Sequence, residues 1–218
     1  MGHLTAQPWV QWDWLGRHWG DVLQATLQHL ELTGVAVGVG LSLSLPLGVL
    51  AHRHPPLRGL VLGIAGALYT VPSLALFALL IPFTGLSIVT AEVGLVSYTL
   101  LILIRNIVVG LDGVPAEVLD AARGMGYRPR ARLIRVELPL AIPAIISGLR
   151  VATVTTVGLV TITALLGLGG LGQLILQGLV EDFRTPLLVG TLGSVALAVL
   201  ADLGLAEILH SLAPWSRA

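Results

Sequence analysis

The chain is 218 residues long, 55% hydrophobic and only 11% charged, with a mean hydropathy of +0.90 and a formal net charge of zero. A soluble fold of this size cannot hide so much apolar surface from water, whereas lipid removes the need, so composition selects a membrane protein. Zero net charge argues against nucleic acid as a partner; the absence of cysteine excludes disulfides and Cys-ligated metals.

Residues 1–28 lack a basic start followed by an apolar core, so they do not read as a cleavable signal peptide, and insertion falls to the first span. They carry Trp9, Trp12, Trp14 and Trp19 among polar residues. Indole settles in the headgroup layer, so the segment reads as interfacial. The competing reading, a cage for a quaternary ammonium cation, needs convergent ring faces.

A span needs roughly 20 apolar residues. Such runs cover 30–51, 59–82, 86–104, 141–167 and 186–205, predicting an all-α, polytopic helical bundle of about five spans within a permease domain over 29–210, followed by a tail over 211–218. Pro72 should loosen the backbone ladder of the second span and make it a moving part. His52 and His54, two apart before that span, read as loop polarity rather than a metal site. Glu92 lies near the outer end of the third span and reads as solvated.

Charges at membrane depth rarely face lipid. Arg150, about three turns into the fourth span, either lines the path, pairs with an acid, or snorkels to the inner headgroups. Asp202 lies near the end of the fifth span. Thr153 and Thr156, with Thr155, Thr161 and Thr163, suit helix packing or a polar path. Gly169 and Gly170, in the Gly-rich stretch 167–172, suit close contact or an outer gate. The apolar segment that follows, to Val180, is either re-entrant or interfacial.

Arg residues set the orientation. Nine of them fall on one side: Arg53 and Arg58, six between spans three and four, and Arg217 in the tail. Arg17 and Arg184 fall on the other, and Arg150 is inside a span. The Arg-rich side is expected to be cytoplasmic, with the N-terminus outside and the C-terminus inside.

The segment 115–139 is too polar to span. Pro115 starts a short helix through Glu117 to Arg123, and Gly124 and Gly126 stop it. Ala121 and Ala122 keep that helix surface low enough for a partner's groove to close on it, and Gly126 permits a sharp turn. A second short helix leads to Leu138 and Pro139.

Asp120-Ala121-Ala122, three residues, Gly126, nine residues and Val136-Glu137-Leu138-Pro139 resemble the coupling motif of binding-protein-dependent ABC importer permeases. Asp120 stands for Glu and Val136 for Ile in that pattern. The stretches 69–82, 103–115 and 167–179 are similar to the glycine betaine/carnitine/choline, or osmoprotectant, branch.

The resemblance implies a type I ABC importer permease of MetI-like architecture in a bacterial or archaeal inner membrane. Glu117, Asp120, Ala121, Ala122, Arg123, Gly126, Leu138 and Pro139 would then couple to a separate ATPase. It further implies ATPase subunits that use ATP-Mg, an extracytoplasmic solute-binding protein, and a second permease copy or paralogue. The chain itself would bind no cofactor or metal and catalyse nothing: it has no P-loop and no lysine to fill one. Within these 218 residues no fused binding domain is expected. Amino acid importers, methionine included, share the motif and are the nearest alternative. A secondary transporter would show an inverted repeat, which is not evident here. An intramembrane enzyme would need a convergent nucleophile or metal cluster.

Overall fold

The computed structural model describes residues 8–214; residues 1–7 and 215–218 lie outside the described residues. The outer parts of the expected terminal segments, with His3 and Arg217, fall there. The described chain contains helices and turns and no strand.

In order, the helices are α1 (Trp12–Arg17), α2 (Trp19–Arg53), α3 (Pro55–Thr70), α4 (Ser73–Thr84), α5 (Ile88–Asp112), α6 (Ala116–Gly124), α7 (Pro129–Arg132), α8 (Leu138–Ile162), α9 (Leu171–Val180) and α10 (Arg184–Leu212). A π-helical turn, Leu133–Glu137, joins α7 to α8, and a 3-10 turn, Thr163–Leu166, extends α8. Trp19–Arg53, Ile88–Asp112, Pro129–Leu166 and Arg184–Leu212 are each long and apolar enough to cross a membrane. The pair α3 and α4 makes a fifth crossing if taken as one span, which matches the expected number.

Two boundaries differ from the hydropathy reading. The first span's helix starts at Trp19, well before residue 30. Asp21, Gln24, Gln28 and Glu31 depress mean hydropathy there, yet their spacing stacks them on one helix face and leaves the rest apolar. The second apolar run is not one loosened helix but two, and the backbone bends by 98° at the break. The residue before a proline is pushed towards extended geometry, and Val71 has ψ 128°. Pro72, which has no N–H to offer, caps the start of α4. The Tyr98 hydroxyl donates to the Val71 carbonyl that the break leaves free.

The chain divides into two compact units. The first holds residues up to Ala36, Pro72–Leu95 and Thr155–Leu200. Its core gathers Trp14, Leu171 and Leu174, with Val22, Phe183 and Val189 packed around them. Trp14, only 8% exposed, stacks on His18 at 4.6 Å and meets Phe183 edge-on at 5.7 Å. It is therefore a core residue rather than an interfacial anchor, whereas Trp9, Trp12 and Trp19 are exposed. The Arg184 guanidinium lies 4.8 Å from the centre of the Trp9 ring.

The second unit holds Val37–Val71, Val96–Val154 and the residues from Ala201 onward. One cluster packs Ala51, Ala65, Ile104 and Val108, drawing α2, α3 and α5 together. Another packs Ile107, Leu111 and Ala141 with Leu133, Leu138 and Ile145, seating α8 and its π-turn on α5. Gly48 lies against Ile107 and Gly110 against Ala141 and Ala144, small residues that let helix backbones approach closely where water drives nothing together. The opposite surfaces of the long helices expose Leu, Val and Ile, as lipid contact requires.

Candidate functional site

The segment between α5 and α8 forms a raised polar element. Pro115, at φ −58° and ψ 139°, begins α6, and the N–H groups of Val118 and Leu119 bond its carbonyl. The helix ends in a Schellman turn: Gly126 N–H donates to Arg123 O, and Tyr127 N–H to Ala122 O. That turn needs a left-handed residue, and Gly126 supplies it at φ +77°.

Glu117, Asp120, Ala121 and Arg123 all face outward. Asp120 and Arg123 pair at 2.6 Å along the helix. Beside them Val118 and Met125 are exposed, so the outer face is a small apolar patch bordered by charge. Ala122 behaves differently from the sequence expectation. It is 1% exposed and turned into its own chain, so its small side chain seats α6 while Ala121 leaves the outer face low.

On the far side of the segment, Pro129 opens α7 at its first turn. The helix then widens into the π-turn, whose Leu138 N–H reaches back to Leu133 O. Pro139 accounts for this, because its ring crowds the carbonyl four residues earlier and it has no N–H to bond it. Leu138 packs with Ile107 and Leu111. Leu138 and Pro139 thus shape the base of the segment, while Glu117 to Arg123 form its tip.

A polar network missed by the sequence reading lies behind this element. His52, in the last turn of α2, bonds Asp112 Oδ1 through Nδ1 at 2.7 Å, and its Nε2 lies 3.7 Å from Glu137 Oε2. Arg58 donates to Asp112 Oδ2 at 2.7 Å. Arg53 donates to the Pro129 carbonyl at 2.8 Å. Glu137, 2% exposed, accepts from Arg132 Nε at 2.7 Å. His52 therefore has a specific acid partner in Asp112, with the Glu137 carboxylate close by, and is not loop polarity; only these acids, distant in sequence, distinguish it from His54.

The remaining candidates separate. Arg150 forms two parallel bonds with Asp202, at 2.8 and 2.7 Å, so it has an acid partner. Thr153 bonds back to Leu149 O, and Thr161 and Thr163 likewise bond carbonyls three residues back. Thr156 is buried in the same helix. Pro72 stands at the helix break already described.

Gly169 sits at φ +111° and Gly170 at φ +51°. A Cβ on Gly170 would come within 2.6 Å of the His29 backbone nitrogen, so only glycine lets this turn press against α2. Its N–H is held by Gln28 Oε1 at 3.0 Å. Gly170 also lines an open pocket of about 460 Å³ with Asp21, Gln24, Gln28, Glu31 and Gln173. Glu92 is not solvated as expected: both of its carboxylate oxygens are enclosed without a hydrogen-bond partner. Among the described residues, no three or more His, Asp and Glu converge as a metal site.

Residues 40–210 match the family described as the binding-protein-dependent transport system inner membrane component. The chain is 39% identical over 188 residues to the osmoprotectant import permease protein OsmW of Salmonella typhimurium, covering 84% of this chain and 87% of that one. It is 36% identical to the glycine betaine/carnitine/choline transport system permease protein OpuCB of Bacillus subtilis, covering 84% and 82%. In fold it is similar to a chain from an inward-facing structure of the MetNI methionine ABC transporter. That alignment has a TM-score of 0.82, covers 90% of this chain and 98% of the other, and has 23% sequence identity.

Proposed function

The chain belongs to the family of binding-protein-dependent transport system inner membrane components, and on that premise we propose that it is the permease of an ATP-driven importer for small osmoprotectants bearing a quaternary ammonium group. Glycine betaine, choline and carnitine are the solutes of that class named for its relatives, which are similar over most of their length. Likeness to the methionine transporter is one of fold, and it does not favour an amino acid as cargo.

The observation that carries the coupling role is α6. It is a short helix with a rigid Schellman end, an inward Ala122 that seats it, and an outer face of Ala121, Val118 and Met125 ringed by Glu117, Asp120 and Arg123. Such a knob suits a groove on a separate ATPase, with the charges fixing register and the apolar patch supplying contact. ATP-driven closure of two ATPases would draw two such knobs together and switch the spans between inward- and outward-facing states. A second permease copy or paralogue and an extracytoplasmic binding protein complete the assembly. The Arg-rich connections face the cytoplasm, and the α9 region faces outside.

Of the path candidates, Gly170 lines a pocket with Asp21 and Glu31, an electronegative lining that suits a cation. Arg150 is neutralised by Asp202 and acts as a structural pair beside the path.

The test is uptake of radiolabelled glycine betaine into proteoliposomes holding the chain with its ATPase and binding protein, with choline, carnitine and methionine as competitors. ATP-dependent uptake, competed by choline or carnitine and not by methionine, is the expected result. Uptake that persists without ATP would make the protein a secondary transporter. Failure to move betaine, with ATP hydrolysis stimulated by another solute, would overturn the osmoprotectant assignment alone.

A further inference from the structure

The two flanks of α6 are tied to one short piece of chain. On the N-terminal flank, Asp112 ends α5 and is held by His52 and Arg58 through its two oxygens. On the C-terminal flank, the Pro129 carbonyl is held by Arg53, and Glu137 faces the other nitrogen of His52. All three basic residues lie within 52–58, the junction of α2 and α3.

This arrangement does little for stability. His52, Asp112 and Arg58 are 21%, 38% and 43% exposed, and pairs so open to water are weak. Its effect is positional. The covalent links on either side of α6 are short, Gly126 is locked in the Schellman turn, and α7 and the π-turn pack against α6. Ties at Asp112 and Pro129, just outside both links, pass a displacement of α6 on to residues 52–58. Glu137, nearly fully buried and bonded to Arg132, gives the C-terminal tie a fixed base.

We propose that residues 52–58 are a transmission clasp: by gripping both flanks of α6, they convert its displacement into displacement of α2 and α3. His52, Arg53 and Arg58 are thus positioning residues that act through α6. The inference rests on the docking role of α6, and the experiment separates the two.

The chain has no cysteine, so labels can be placed singly. Leu57→Cys and Gly124→Cys, both at exposed positions, would carry spin labels in the reconstituted importer. Their separation, read by pulsed EPR, should be the same in nucleotide-free and vanadate-trapped states. With His52→Ala and Arg53→Ala added, the separation should shift or broaden on trapping. Betaine imported per ATP hydrolysed should then fall about tenfold, the size of an ordinary coupling loss.

A separation that changes on trapping without those two substitutions overturns the clasp, because the loop and α6 then move independently. So does an unchanged ratio of uptake to hydrolysis in the double variant, even if its yield or melting temperature drops, since that is what a merely structural role gives. Loss of the ATPase on copurification with the double variant also overturns it, by placing the loop in docking itself. Failure of the docking reading appears separately, as an ATPase that still copurifies with Ala121→Trp.

Discussion

Ala121 and Ala122 are neighbours of one residue type with opposite surroundings. Ala122 is buried under α6, so Ala122→Glu should unseat the helix and lower stability by about 1–3 kcal/mol, the usual cost of overfilling a packed site. Ala121→Glu should leave the melting temperature of the purified chain unchanged and abolish ATPase copurification. Equal thermal shifts for the two variants would refute this division. The motif's spacing marked both positions as important but not which way each points, because a run of two small residues carries no helical phase. Arg150 illustrates a second limit. Its charge at membrane depth left a path role, an acid partner and snorkelling open, because Asp202 lies 52 positions away and only folding brings the two to 2.7 Å. His52 was the reverse case: a residue with an unremarkable neighbourhood in sequence that meets Asp112 and Glu137 in space.

At the level of single helices, apolar runs were easy to find and their interruptions were not. Pro72 signalled a weakness in the second span, but proline inside an apolar run has two outcomes. Pro46 and Pro143 remain within α2 and α8, whereas Pro72 ends one helix and starts another. The difference at Pro72 is an extended Val71 whose freed carbonyl finds the Tyr98 hydroxyl. Tyr98→Phe strands that carbonyl, and should destabilise the protein by about 1 kcal/mol in a denaturant titration in lipid or detergent. No loss of stability would mean that the break is held by the proline alone. The start and stop of α6, by contrast, were fully readable, because Pro115 and Gly126 act through local backbone geometry and need no distant partner.

For the molecule as a whole, composition and the Arg distribution carried the class and the expected topology, since transfer into lipid depends on averages over many residues. Five crossings agree with the helices found when the bent pair is counted once. Orientation is open to direct measurement in the cysteine-free background. Cysteine at Met125 should react with a membrane-impermeant maleimide only after the inner face is opened, and cysteine at Val180 should react in intact cells. Both side chains are well exposed in the chain alone, so in cells lacking the ATPase access depends on the side of the membrane rather than on burial. The reverse labelling pattern would invert the topology.

The π-turn has a bearing on how this chain can change by insertion and deletion. One residue is in effect inserted into the helix at Leu133–Glu137, and the nine residues between Gly126 and Val136 include most of it. Deleting one residue of the helical part, 129–135, would press the wide turn towards α-helical spacing against Pro139. It would also rotate everything upstream by about 100°, the angle of one helical residue, and turn α6 away from its seat. The spacing in the motif is thus a mechanical gauge: a local irregularity kept because the regular alternative aims the tip in the wrong direction.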